Sequence, residues 1–119
     1  MSYSAAATGR AYEANSVADL ARFFPDATPM HFPIQFTRIV EESSGVSDIS
    51  ESTMVEFGTP REILFVSKVP LEFGDQLRLR NSDGSLDETA CVVAVQYQPA
   101  KTLVAARFKR DVPNWIVKS

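Results

Sequence analysis

The chain holds one histidine, His31, and one cysteine, Cys91. A nucleophilic site needs a base beside its nucleophile, and these two are the sole histidine–cysteine pair on offer. Cys91 stands between Ala90 and Val92 in an apolar run, where a small buried thiol is the ordinary role. His31 falls in Pro29-Met30-His31-Phe32-Pro33, which reads as an extended connector. One histidine and one cysteine do not make a zinc site. The sequence lacks the glycine spacings of a phosphate-cradling loop that opens a helix. Carboxylate pairs occur at Glu41-Glu42 and Asp87-Glu88, both in or beside expected loops, where such pairs form a solvated face. Residue supply therefore argues against an enzyme and against a resident metal or cofactor.

The other chemistry in reach is charge. The chain of 119 residues has 12 basic and 15 acidic side chains, a net charge of −3. From Arg38 to Arg61 every charge between is negative: Glu41, Glu42, Asp48, Glu51 and Glu56. That stretch repels a polyanion, so DNA is not an expected partner. The basic side chains gather later, at Arg78, Arg80, Arg107, Lys109 and Arg110, with Phe108 among them. Two readings fit this cluster: a solvated outer face, or a patch for a phosphate-bearing ligand or an acidic partner. An oligonucleotide-binding barrel would want aromatics interleaved with these cations on one face.

The elements that position these residues follow from hydrophobic period. Ser16 is a fitting N-cap with Asp19 three residues on, and Val17, Leu20, Ala21 and Phe24 follow at helical spacing until Pro25 stops the helix. A helix this short must dock on something. From Phe32 the period becomes two, with Phe32, Ile34 and Phe36 on one face; Pro33 marks an edge. The sequence predicts an exposed loop over 42–52 and strands over 53–57 and 62–67, the latter apolar on both faces. Leu77 and Leu79 point one way, Arg78 and Arg80 the other. Asn81-Ser82-Asp83-Gly84 is a hairpin turn. A long strand over 89–97 puts Cys91, Val93, Val95 and Tyr97 on one face, and a strand over 103–108 returns antiparallel. The tail with Pro113 and Trp115 packs back on the sheet in this reading, and residues 1–15 are a frayed terminus. Short strands joined by tight turns predict an all-β fold, a small six-stranded antiparallel β-barrel with a short N-terminal α-helix. No apolar run approaches the ~18 residues of a membrane span. The lone cysteine fits a reducing compartment, so a cytoplasmic location is expected, and no signal peptide is read at the start.

Three stretches then carry a resemblance. Ile63-Leu64-Phe65-Val66-Ser67, followed by Pro70-Leu71-Glu72-Phe73-Gly74-Asp75, is similar to the third strand and Pro-Leu-x-x-Gly-Asp turn of the PilZ family. Ala90-Cys91-Val92-Val93-Ala94-Val95 resembles the barrel strand that follows, and Leu103-Val104-Ala105-Ala106-Arg107-Phe108 the closing strand. Val112-Pro113-Asn114-Trp115-Ile116 is similar to the Pro-Asp-Trp tail of a divergent PilZ-like subgroup. The resemblance implies a split-barrel over 29–119 behind a tail and short helix over 1–28, and a bacterial cyclic di-GMP pathway.

PilZ receptors hold cyclic di-GMP with Arg-x-x-x-Arg before the first strand and Asp/Asn-x-Ser-x-x-Gly ahead of the Pro-Leu turn. Counting back from that turn puts Phe57 at the Asp, Thr59 at the Ser and Glu62 at the Gly. Only Thr59 keeps its chemistry. A second stretch, Asp48 to Thr53, keeps the Asp and the Ser but ends in Thr and lies too early. No Arg-x-x-x-Arg occurs; Arg10 and Arg22 are the arginines ahead of the first strand. The resemblance therefore implies a degenerate nucleotide site. What remains for ligand contact is Thr59 and Arg61, with Arg22 or Arg38. The leading expectation is a non-catalytic adaptor that works through contact with a protein partner. The alternative is a genuine cyclic di-GMP receptor with an atypical site.

Overall fold

A computed structural model describes residues 16–39, 49–113 and 115; the frayed terminus expected over 1–15 and the first part of the 42–52 loop lie outside these. A short helix, α1 (Val17–Ala21), precedes six strands: β1 (Thr28–Ile39), β2 (Ser50–Gly58), β3 (Glu62–Ser67), β4 (Gln76–Arg80), β5 (Asp87–Gln98) and β6 (Lys101–Phe108). All neighbouring strands run antiparallel, and the order β1-β2-β3-β6-β5-β4 closes into a barrel. This is the all-β six-stranded barrel with a short helix that the alternating pattern predicts.

The alternation fills the barrel. Phe36, Val55, Ile63, Phe65, Leu77, Leu79, Val92 and Val104 are buried together inside it. Leu64 is also fully buried, although it points out of the barrel. α1 explains this: Val17, Leu20 and Ala21 cover Leu64, Ala94, Leu103 and Ala105 on the outside of the sheet. A five-residue helix has no stability of its own, so this burial holds it in place. Ser16 caps it as expected, its hydroxyl accepting from the Asp19 amide at 3.2 Å. The helix ends at Ala21, well short of Pro25; Arg22 to Asp26 form a turn, and Phe24 keeps its contact with the outer cluster.

Two strand starts and one face differ from expectation. β1 starts at Thr28 rather than Phe32, because pairing with β2 continues to Gly58 through a register shift between Pro29 and Phe32. Residues Ser50 to Ser52, expected in the loop, are the first of β2, and the Thr37 and Ser50 hydroxyls bond at 2.8 Å across the pair. β5 does not keep Cys91, Val93, Val95 and Tyr97 on one face: a bulge between Val92 and Ala94 turns Val95 toward the interior and leaves Cys91 half-buried on the outside. β4 pairs with β1 and β5, so β5 separates it from the last strand.

The two barrel ends are closed differently. At one, Trp115 is buried between Phe32 and Phe108, each ring centroid 5.5 Å away and edge-on, while its indole N–H donates to the Thr59 carbonyl at 2.7 Å. Gly58 leaves room for that ring. At the other, the Tyr97 hydroxyl donates to the Leu71 carbonyl at 2.6 Å, and the Glu51 carboxylate accepts from the Lys68 amide at 2.9 Å. β4 is five residues long against twelve for β1, and pairs with Gln35 to Ile39 alone. The first half of β1 therefore has β2 on one side and no strand on the other.

Candidate functional site

Thr59 and Arg61 lie together in the turn between β2 and β3. Pro60 forbids a continuing ladder, and the chain reverses between the Thr59 amide and the Glu62 carbonyl, 2.9 Å apart. The Thr59 side chain is 3% exposed, and its hydroxyl is fully used. It accepts from the amides of Arg61 at 2.9 Å and Glu62 at 2.8 Å, and donates to Glu62 Oε1 at 2.7 Å. A hydroxyl has one proton and two lone pairs, so nothing is left for a ligand. Glu62 spends its other oxygen on Arg107, whose Nε donates to Oε2 at 2.9 Å. Arg61 points into solvent, with Asp111 at 3.5 Å.

The other two arginines do not complete a site here. Arg22 is exposed at the C-cap of α1, where it shares a shallow groove with Ala18, Pro25 and Phe57. Arg38 is near the far end of β1, ten residues beyond the Thr28 that pairs with Gly58, or roughly 30 Å along the strand. Its guanidinium lies 3.9 Å from Asp75. The earlier placement of the motif fares no better: Asp48 is outside the described residues, and Ser50 lies at the opposite end of β2 from the turn.

The basic cluster is neutralised from within. Arg78 grips Asp87 with two nitrogens, at 3.0 and 2.9 Å. Arg110 grips Glu88, and Arg107 is held by Glu62. The Asp87 carboxyl lies below the usual carboxylate range because Arg78 bonds it, with the charges of Arg78 and Arg80 assisting. Asp83 is lowered as well, chiefly by the Ser85 amide in the hairpin tip. The solvated-face reading of the cluster therefore holds for these pairs, and Arg80 alone of its arginines makes no salt bridge among the described residues, acting on Asp87 through its charge alone.

Cys91 donates weakly to the Val92 carbonyl, at 3.7 Å, and His31 sits at a separate shallow groove with Glu56 and Phe57. No contact joins the two. No cluster of three or more metal-ligating side chains occurs among the described residues.

Sequence reasoning missed one polar arrangement. Ser52, Gln35 and Arg80 face solvent in one row across β2, β1 and β4, beside a groove of about 320 Å³. Finding it requires the β1–β4 register, which residue pattern does not carry. No family model, no curated protein and no solved structure matches the chain.

Proposed function

We propose that the chain is a PilZ-like barrel that has lost its cyclic di-GMP site and works as a non-catalytic cytoplasmic adaptor, through contact with a protein partner. The observation that carries this reading is the state of the β2–β3 turn. Counting back along the sequence from Pro70-Leu71, which follows β3, the resemblance expects the ligand motif at that turn. The hydroxyl of Thr59 is consumed by the turn itself. Glu62 brings a carboxylate to the position where the motif has a glycine, and that carboxylate occupies Arg107. A cyclic dinucleotide carries two negative charges, and a carboxylate at its contact point opposes it. Arg61 alone, paired at 3.5 Å with Asp111, does not balance that.

Calorimetric titration with cyclic di-GMP tests the reading. No saturable heat is expected at micromolar nucleotide. Micromolar or tighter binding overturns the lost site and establishes the atypical receptor in its place.

A further inference from the structure

We propose that the outer row Ser52–Gln35–Arg80 is a binding site for a small ligand that carries an oxyanion, a phosphate or a carboxylate, on a short apolar body. The site is separate from the β2–β3 turn and does not rest on the reading of that turn.

Three observations carry it. The first is register. Gln35 pairs with Ser52 on one side and with Arg80 on the other, so the three side chains stand abreast on adjacent strands, about 5 Å apart. The row offers a guanidinium, an amide and a hydroxyl, all able to donate. The second is that these donors are uncommitted. All three residues are exposed, and none makes a side-chain hydrogen bond or salt bridge among the described residues; Arg80 acts on Asp87 through its charge alone. Arg80 owes this to Arg78. Asp87 is the backbone partner of Arg80, yet both its carboxylate oxygens are taken by Arg78. The third is shape. β4 stops at Arg80 while β1 runs on, so the hairpin tip at Asn81 and Ser82 stands over Pro33 and Ile34 with a groove between. Its volume of about 320 Å³ lies at the small end of the ~300–1,000 Å³ of ligand pockets.

Two polar neighbours of the row are already engaged, and the exposed Ser82 hydroxyl at the hairpin tip is the one further donor lining the groove. The Thr53 hydroxyl donates to the Val66 carbonyl at 2.6 Å. Asn81 donates to Ser85 and accepts from the Leu86 amide. Pro33 gives an apolar wall with no amide proton to satisfy. A planar guanidinium matches two oxygens of a phosphate or carboxylate at once, which a lysine would not.

The test is a heteronuclear NMR titration of the whole chain with phenyl phosphate, a probe that joins an oxyanion to a small apolar body. The expected result is saturable shifts at Gln35, Ser52, Arg80 and Ser82. Affinity should fall about tenfold in Arg80→Gln, since a hydrogen bond to a charged group is lost. Gln35→Ala should weaken it too, and Arg22→Gln should leave it unchanged. All three positions are exposed, so the variants keep the spectrum of the folded chain. Shifts that do not saturate, or that appear equally around Arg22, Lys101 and Lys109, overturn the proposal, as does an Arg80→Gln variant that binds as tightly as the parent.

Discussion

Gly58 and Trp115 are mutually dependent, and replacing Gly58 by alanine measures how strongly. A Cβ on Gly58 would stand within 2.5 Å of the Trp115 ring and 2.9 Å from the Met30 sulfur. The methionine can swing aside. The indole cannot, because Phe32 and Phe108 flank it and Thr59 holds its N–H. Overpacking of this kind costs about 1–3 kcal/mol. Replacing a strand glycine by alanine returns about 0.5–1 kcal/mol through the unfolded chain. The net destabilisation expected is therefore about 0–2.5 kcal/mol, rising toward the ~3–5 kcal/mol of a tryptophan truncation if the ring is expelled. In a Trp115→Ala background the obstruction is gone, and Gly58→Ala should become neutral or stabilising. Urea unfolding followed by circular dichroism on the four proteins of this cycle gives the coupling, expected near 2 kcal/mol. Trp115 is the chain's one tryptophan, so its fluorescence reports the same end directly where it is present. Additive costs within about 0.5 kcal/mol would refute the claim that the ring seals this end against the Gly58 backbone.

Glu51→Ala removes the carboxylate that accepts from the Lys68 and Val69 amides and the Ser67 hydroxyl, and should cost about 1–3 kcal/mol in urea unfolding. Glu51→Gln keeps one acceptor oxygen and should cost less. Glu62→Ala frees both Thr59 and Arg107, and should lower stability by about 1–2 kcal/mol without creating affinity for cyclic di-GMP, as calorimetry would read. Asp87 is depressed below the usual carboxylate range in the folded chain. Its contribution is then present above that range and lost as pH falls through the folded value, so Arg78→Gln should raise the Asp87 midpoint in a carbon-detected NMR titration and flatten the acid limb of stability. A midpoint unmoved by that substitution would remove Arg78 as the cause.

What the sequence made legible is what is local. The Ser16 cap, the period-two run of β1, the β3 boundaries and the glycine at φ +79° in the 81–84 turn each depend on a few neighbouring residues. β3 is the instructive success. Apolar residues on both faces demanded a second covering layer, and α1 supplies it over Leu64. The bulge in β5 was not legible, because one extra residue exchanges the faces of everything beyond it while leaving composition unchanged. The candidate site was legible in its chemistry but not in its state. Thr59 could be picked out as a surviving hydroxyl; that its three bonds are spent inside the turn depends on the Pro60 reversal and on Glu62 lying across from Arg107.

The same limit explains why three of the five basic side chains in this cluster, Arg78, Arg107 and Arg110, are neutralised on the folded surface. Antiparallel pairing sets Glu62 opposite Arg107, and the strands around the hairpin bring Asp87 to Arg78 and Glu88 to Arg110. Each of these acids lies far from its base in sequence or across a turn, so a linear charge count sees a positive half where the fold makes salt-bridged neutral rows. A surface paired in this way has little field to steer a polyanion, and it loses little when salt is added. Arg80 departs from the rule for a geometric reason: its own cross-strand acid bonds to the neighbour two residues earlier, and the strand on its other side presents an amide, not a carboxylate. The pairing that occupies Asp87 is therefore what isolates one guanidinium beside the groove where β4 stops and β1 runs on.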